Sequence, residues 1–187
     1  MDVKTLGVFA AMTLAVACFA DNTARAYDIP SRKIEITPYL NIIFPHDLLG
    51  DSRGENIVKN NPGPGLGVKI HNQVYKSFGF LIDFSFTDLD VTNSSLSTAI
   101  IFTGGGYYTR STGIGDFTLN FGYGVLSIAG YAQALFLPGI EYNRKISERA
   151  VISTGVDWVL PNDWIYEESI ETTYGNYSLF LGCGVIF

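Results

Sequence analysis

Eight segments of this chain place apolar residues at every second position, and that period limits what the chain can fold into. The clearest row sets Phe78, Phe80, Ile82, Phe84 and Phe86 against Gly79, Asp83, Ser85 and Thr87, with Leu81 the one exception. Period two is the pattern of a strand with one apolar face. Comparable rows occupy 33–44, 65–74, 99–109, 117–125, 132–143, 152–160 and 177–187. In the fourth, Gly104-Gly105-Gly106 points to a bend or a close approach of backbones. One such row is a weak signal, but eight in succession predict an all-β fold. The expectation is an eight-stranded antiparallel up-and-down barrel.

The amino-terminus supplies an address. A polar head with Lys4 precedes the uncharged run 6–20, and Ala24-Arg25-Ala26 forms an A-x-A cleavage site. That is a secretory signal peptide, too short and wrongly flanked for a spanning helix. The expected division is therefore a signal peptide at 1–26 and a barrel domain at 27–187. A rival reading makes 14–18 a lipoprotein box with Cys18 acylated, although Cys18 lies inside the apolar run. Cleavage after Ala26 removes two acids and two bases, so the net charge stays at −6. Cys183 then remains alone and no intrachain disulfide can form. Twenty glycines, eleven tyrosines and thirteen phenylalanines favour β structure. Without a basic stripe, nucleic acid is not expected as a partner.

The connections agree with a transmembrane barrel, which has short turns on one side and longer loops on the other. With the first strand rising from the periplasm, the outward connections are 45–64, 89–98, 127–130 and 161–173; only 127–130 is short. The inward connections 75–77, 110–116 and 144–148 are all short. Aromatic residues should then gather at two interfaces. Phe78, Tyr108, Phe117, Tyr142 and Phe187 fall near the periplasmic rim, and Phe44, Phe86, Trp158 and Tyr177 near the outer rim.

The two faces differ in charge. One carries almost none, whereas the other holds Lys33, Glu35, Lys69, His71, Asp83, Glu141, Arg149 and Asp157. A lipocalin, the nearest soluble counterpart, lines its cavity with apolar groups and turns polar ones outward. The export signal, the aromatic end and the two belts place lipid outside and the charged row in the lumen. An eight-stranded barrel is only wide enough for side chains to fill it. The expectation is an ion-paired plug in which Lys69 meets Lys33, Glu35 and Asp83 on adjoining strands. A proton or ion path along the same residues is the alternative.

The ending carries the family signal. Tyr177, Leu179, Leu181, Cys183, Val185 and Phe187 share one face of a last strand that closes on an aromatic residue. With the rest of the pattern, the chain resembles the small eight-stranded outer-membrane barrels, the OmpA-barrel, OmpX and OmpW-like group. The resemblance spans nearly all of 27–187 and rests on pattern, with no residue motif for one member. It implies a bacterial (Gram-negative) outer-membrane location in contact with lipid and lipopolysaccharide. It also implies that Tyr177, Leu179, Leu181, Val185 and Phe187 act as an assembly signal for the barrel-assembly machinery. A monomer that serves the cell envelope or surface interaction through its loops is expected. A narrow, porin-like conduit for ions or small apolar solutes is the second reading, as suggested for OmpW-like relatives.

Some members of this architecture modify lipid A with a His, a Ser and an acid. His46, Asp47, Asp51 and Ser52 in the first outer loop, with Asp88, Ser94 and Ser95 in the second, allow such a set. The His-x-Ser pattern of the deacylases is absent and no histidine follows His71, so no catalytic residue is expected. Asn93-Ser94-Ser95 matches a glycosylation sequon but reads as loop. The acids Asp163, Glu167, Glu168 and Glu171 read as a solvated loop rather than a cation site. Neither a cofactor nor a metal is expected. His71 reads as a hydrogen-bonded lumen residue, since no second His or Cys lies at ligand spacing.

Overall fold

The structure is a computed structural model that describes residues 33–46, 58–59, 61–91, 94–128, 130–161 and 176–187. The expected signal peptide, Cys18, Asp47, Asp51, Ser52, Asn93 and the four loop acids lie outside these residues. The strands are β1 (Ile34–Phe44), β2 (Gly63–Tyr75), β3 (Phe78–Val91), β4 (Ser94–Ser111) and β5 (Asp116–Ile128). They continue with β6 (Tyr131–Lys145), β7 (Ala150–Trp158), β8 (Leu160–Pro161) and β9 (Tyr177–Ile186). Both β7 and β8 pair with β6 on either side of Val159, so they form one barrel strand.

Each strand pairs antiparallel with its neighbours, and the ring closes through β1 with β9. The result is a closed eight-stranded antiparallel barrel. At the seam the backbone N–H of Phe187 donates to the Ile34 carbonyl at 2.8 Å, which carries the ladder to the last residue. Closure removes every free edge along the ladder, which an apolar-faced sheet needs. Leu81, the exception in the Phe78–Phe86 row, simply belongs to the inner face and is buried.

Two expectations about connections change. β3 continues past Phe86 to Val91 and β4 begins at Ser94, so the expected loop 89–98 is mostly a hairpin with Leu89 opposite Ser97. Thr98 Oγ1 donates to Asp88 Oδ1 at 2.9 Å across it, and Leu89 turns into the core. Ser and Thr on an outward row read as loop, yet cross-strand partners make them strand. In the same way Ser127 and Ile128 belong to β5, opposite Ala132 and Tyr131. The link reduces to 129–130, where Gly130 has a φ of +84° that disfavours a side chain. Two of the four outer connections are therefore tight. The glycine triplet does not bend β4, whose register runs unbroken through it. It is a close approach: Gly105 lies against the Phe121 carbonyl with no room for a Cβ.

The lumen has two layers. Its turn end is polar, but at the loop end the inward row becomes apolar. Ile43, Leu89, Ile101, Leu126, Leu137 and Val159 belong to one buried cluster there, joined by Val58 from the first outer connection. Val58 bridges to Val91 and the Lys59 N–H donates to the Asp90 carbonyl at 2.8 Å. Charge on the inward row had marked the whole face as polar, whereas it ends halfway up.

Candidate functional site

The outside of the barrel is a surface built for an apolar solvent. Leu40, Leu66, Phe80, Ile82, Phe102 and Leu181 stand exposed on five different strands. The outward rows of the described strands hold no charge until their ends. Asp88 and Asp90 appear at the loop end of β3, and Arg110 and Arg144 at the turn ends of β4 and β6. A contiguous apolar band with charged margins is the surface of a transmembrane barrel and would aggregate in water.

Aromatic residues flank that band in cross-strand pairs. At the turn end Phe78 packs on Tyr108 with ring centroids 4.8 Å apart, and Phe117 on Tyr142 at 5.2 Å. At the loop end Phe44 stacks on Tyr177 at 4.8 Å, and Trp158 faces Tyr177 in register. Phe86 departs from the expected belt. Because β3 continues to Val91, this residue lies within the outer face, beside Phe84 at 4.7 Å. On β9, Tyr177, Leu179, Leu181, Cys183, Val185 and Phe187 all point outward and are exposed, between β1 and β7.

Six of the eight residues expected in the lumen line it; Lys33 and Arg149 do not. Lys33 precedes β1 and Arg149 sits in the turn before β7, both exposed. Each lies one residue before its strand, where the carbonyl still accepts a cross-strand bond, but a long cation at a rim reaches water instead of the interior.

The ion pairs also differ from those expected. Lys69 is 1% exposed. Its Nζ donates to Asp157 Oδ2 at 2.8 Å and lies 3.7 Å from Glu141 Oε2. Those acids stand on β7 and β6, across the lumen. Asp83 is the Cα partner of Lys69 on β3, but its carboxylate accepts instead from the Tyr39 hydroxyl at 2.6 Å. The reason is reach. The four-carbon stem of Lys69 spans the barrel, while a short Asp beside it meets the nearest donor on the wall. The ammonium also sits 3.6 Å above the centre of the Phe180 ring, a cation–π contact that helps offset its desolvation.

Sequence reading missed Tyr39 as a hydrogen-bond donor, Phe180 as a ring beneath the cation and Asn120, which donates to Glu141 Oε2 at 3.3 Å. Glycine was the available signal. Gly155 leaves its ladder position open, and a Cβ there would stand 2.8 Å from the Phe180 ring. Nearer the turn end, Thr37 Oγ1 donates to Glu35 Oε1 at 3.0 Å. At the boundary with the apolar layer, a cavity of about 10 Å³ is lined by Asn41, Ser85, Asp157 and Ser178 among others, room for about one water.

The residues weighed for catalysis are only partly within reach. The His46 backbone N–H donates to Asn176 Oδ1 at 2.6 Å just before β9. Asp88 is engaged by Thr98, and Ser94 and Ser95 open β4.

No known protein-family profile matches the chain, and no curated protein sequence does. Among solved structures it is similar to Neisserial surface protein A, at 10% identity and a TM-score of 0.46, over 86% of this chain and 98% of that one. It is also similar to Ail, the attachment invasion locus protein of Yersinia pestis, at 14% identity and a TM-score of 0.47. That match covers 83% of this chain and 97% of Ail. At these scores the likeness assigns no function. By its own geometry, closed, antiparallel, apolar outside and filled within, the chain has the architecture of the small eight-stranded transmembrane β-barrels.

Proposed function

We propose that the chain is a non-enzymatic barrel of the bacterial outer membrane whose lumen is a plug. Its role is then in envelope structure or in surface interaction through its outer connections. The observation that carries this reading is the buried apolar layer across the loop end of the lumen, above the cross-barrel pair of Lys69 and Asp157. A constriction lined by close-packed Ile, Leu and Val holds no continuous file of water, and ions do not cross it. Lipid and lipopolysaccharide meet the apolar band and its aromatic margins. The exposed row from Tyr177 to Phe187 serves as the feature read by the assembly machinery, and the barrel acts as a monomer.

Planar bilayers test the plug directly. The refolded protein should insert without stepwise conductance, and reproducible single-channel steps would favour the conduit. Lipid A from cells that express the chain should keep its mass; a shift by one acyl chain would establish an enzyme. On a detergent gel the unheated barrel should migrate faster than the boiled chain.

A further inference from the structure

The charges in the lumen do not balance. Among the described residues Glu35, Asp83, Glu141 and Asp157 are the acids of the lumen inside its turn-end rim, where Asp116 and the exposed Lys145 share their rows, and Lys69 is the only buried lysine or arginine. Ionised, the four carboxylates carry −4 against its +1, and buried charge without a counter-charge is strongly unfavourable. Lys69 is committed to Asp157 at 2.8 Å. The surplus lies at the turn end, where Glu35 and His71 are Cα partners on β1 and β2 and Glu141 reaches in from β6.

We propose that Glu35, His71 and Glu141 bind one first-row divalent cation of the Zn²⁺ class. One ligand atom from each can be chosen so that all lie within 4.8 Å of one another. His71 Nδ1 is 4.0 Å from Glu35 Oε1, and Nε2 is 3.8 Å from Glu141 Oε2. These distances are too long for hydrogen bonds, so neither carboxylate holds the imidazole directly, and the shared set within 4.8 Å is what places one atom of each residue around a single ion bound at roughly 2.0–2.2 Å. Two atoms point to a ligand independently of the acid count. His71 Nε2 and Glu141 Oε1 are both buried with no hydrogen-bond partner, on side chains that are 7% and 0% exposed. Glu141 offers Oε1 to the ion while Oε2 keeps Asn120 and faces Lys69.

The surroundings hold the ligands as a metal site requires. Thr37 Oγ1 donates to Glu35 Oε1 at 3.0 Å. The Tyr107 ring meets the His71 ring edge-on at 4.9 Å between centroids. Such outer contacts fix ligand orientation. One imidazole nitrogen and two carboxylates suit Zn²⁺ and its first-row neighbours, whereas Ca²⁺ and Mg²⁺ take oxygen alone. The Glu35 side chain is 19% exposed, so the site opens towards the turn end and leaves a further position for water. No spacing in the sequence reveals this set, because its members come from three strands that meet only when the barrel closes.

The test uses the full chain refolded in detergent, stripped with a chelator and titrated with Zn²⁺. The wild-type barrel should take up one equivalent. At zinc about 100-fold above Kd, the folded-to-unfolded ratio in urea should rise about 100-fold. His71→Gln should abolish uptake. Glu35→Gln, at a half-buried rim position, should weaken it by more than the roughly 10-fold that loss of an outer contact brings. The unheated gel shift reports folding of each variant, and if His71→Gln fails to fold, Glu35→Gln decides alone. A barrel that binds no stoichiometric zinc overturns the proposal. Binding that survives Glu35→Gln undiminished overturns it too, since the ion then sits elsewhere.

Discussion

Lys69 and Asp157 stand 88 positions apart in the chain and 2.8 Å apart across the lumen. Strand pairing does not join them, since β2 and β7 are not neighbours. The contact is a tie through the centre of the barrel, with the Phe180 ring under the cation and Glu141 beside it.

Loss of the tie should be felt as loss of stability. Lys69→Met leaves Asp157 buried without its cation and should destabilise by about 3–5 kcal/mol. Urea midpoints of the refolded barrel in detergent measure it. A loss nearer ~1 kcal/mol, the scale of exposed pairs, would mean that water fills the turn end and solvates the acid.

Charge on the outer face should be penalised by depth. Ile82 is 46% exposed in the middle of the β3 row, where an arginine in lipid costs roughly 2–4 kcal/mol. Ile82→Arg should lose that much in vesicle refolding titrations, while Ile82→Ala should lose far less. Equal losses would show that the row does not face lipid.

Phe187 separates assembly from stability. Its backbone closes the ladder with Ile34, but its side chain is 72% exposed. Phe187→Asp should lower the amount of barrel recovered in outer membranes much more than it lowers the urea midpoint of barrel already folded. Full recovery of the variant would remove the ending as an assembly signal.

A methyl group can test the ring beneath the cation. The Cβ of Gly155→Ala would press on the Ile140 carbonyl and come within 2.8 Å of Phe180. Overpacking of this kind costs about 1–3 kcal/mol. Combined with Lys69→Met, the two losses should fall short of additive, because both act on the Phe180 contact. Strict additivity in the urea midpoints would argue against a shared site.

Alternation is a local property, so much of the barrel was readable before any pairing was known. Phe78 to Phe86 and Tyr177 to Phe187 announce their outward rows residue by residue, because each side chain's face follows from its own position in the strand. The same rule placed Glu35, Lys69, His71, Asp83, Glu141 and Asp157 inside. It failed at the rim, where Lys33 and Arg149 share the inward period but their long side chains reach water. It also misread 89–98, where the bond from Thr98 to Asp88 makes strand out of residues that look like loop. Which side chains meet within the lumen was decided only by closure. Strand tilt and stagger set which heights coincide across the barrel, and so brought Lys69 to Asp157, set His71 between Glu35 and Glu141, and stacked an apolar layer above them.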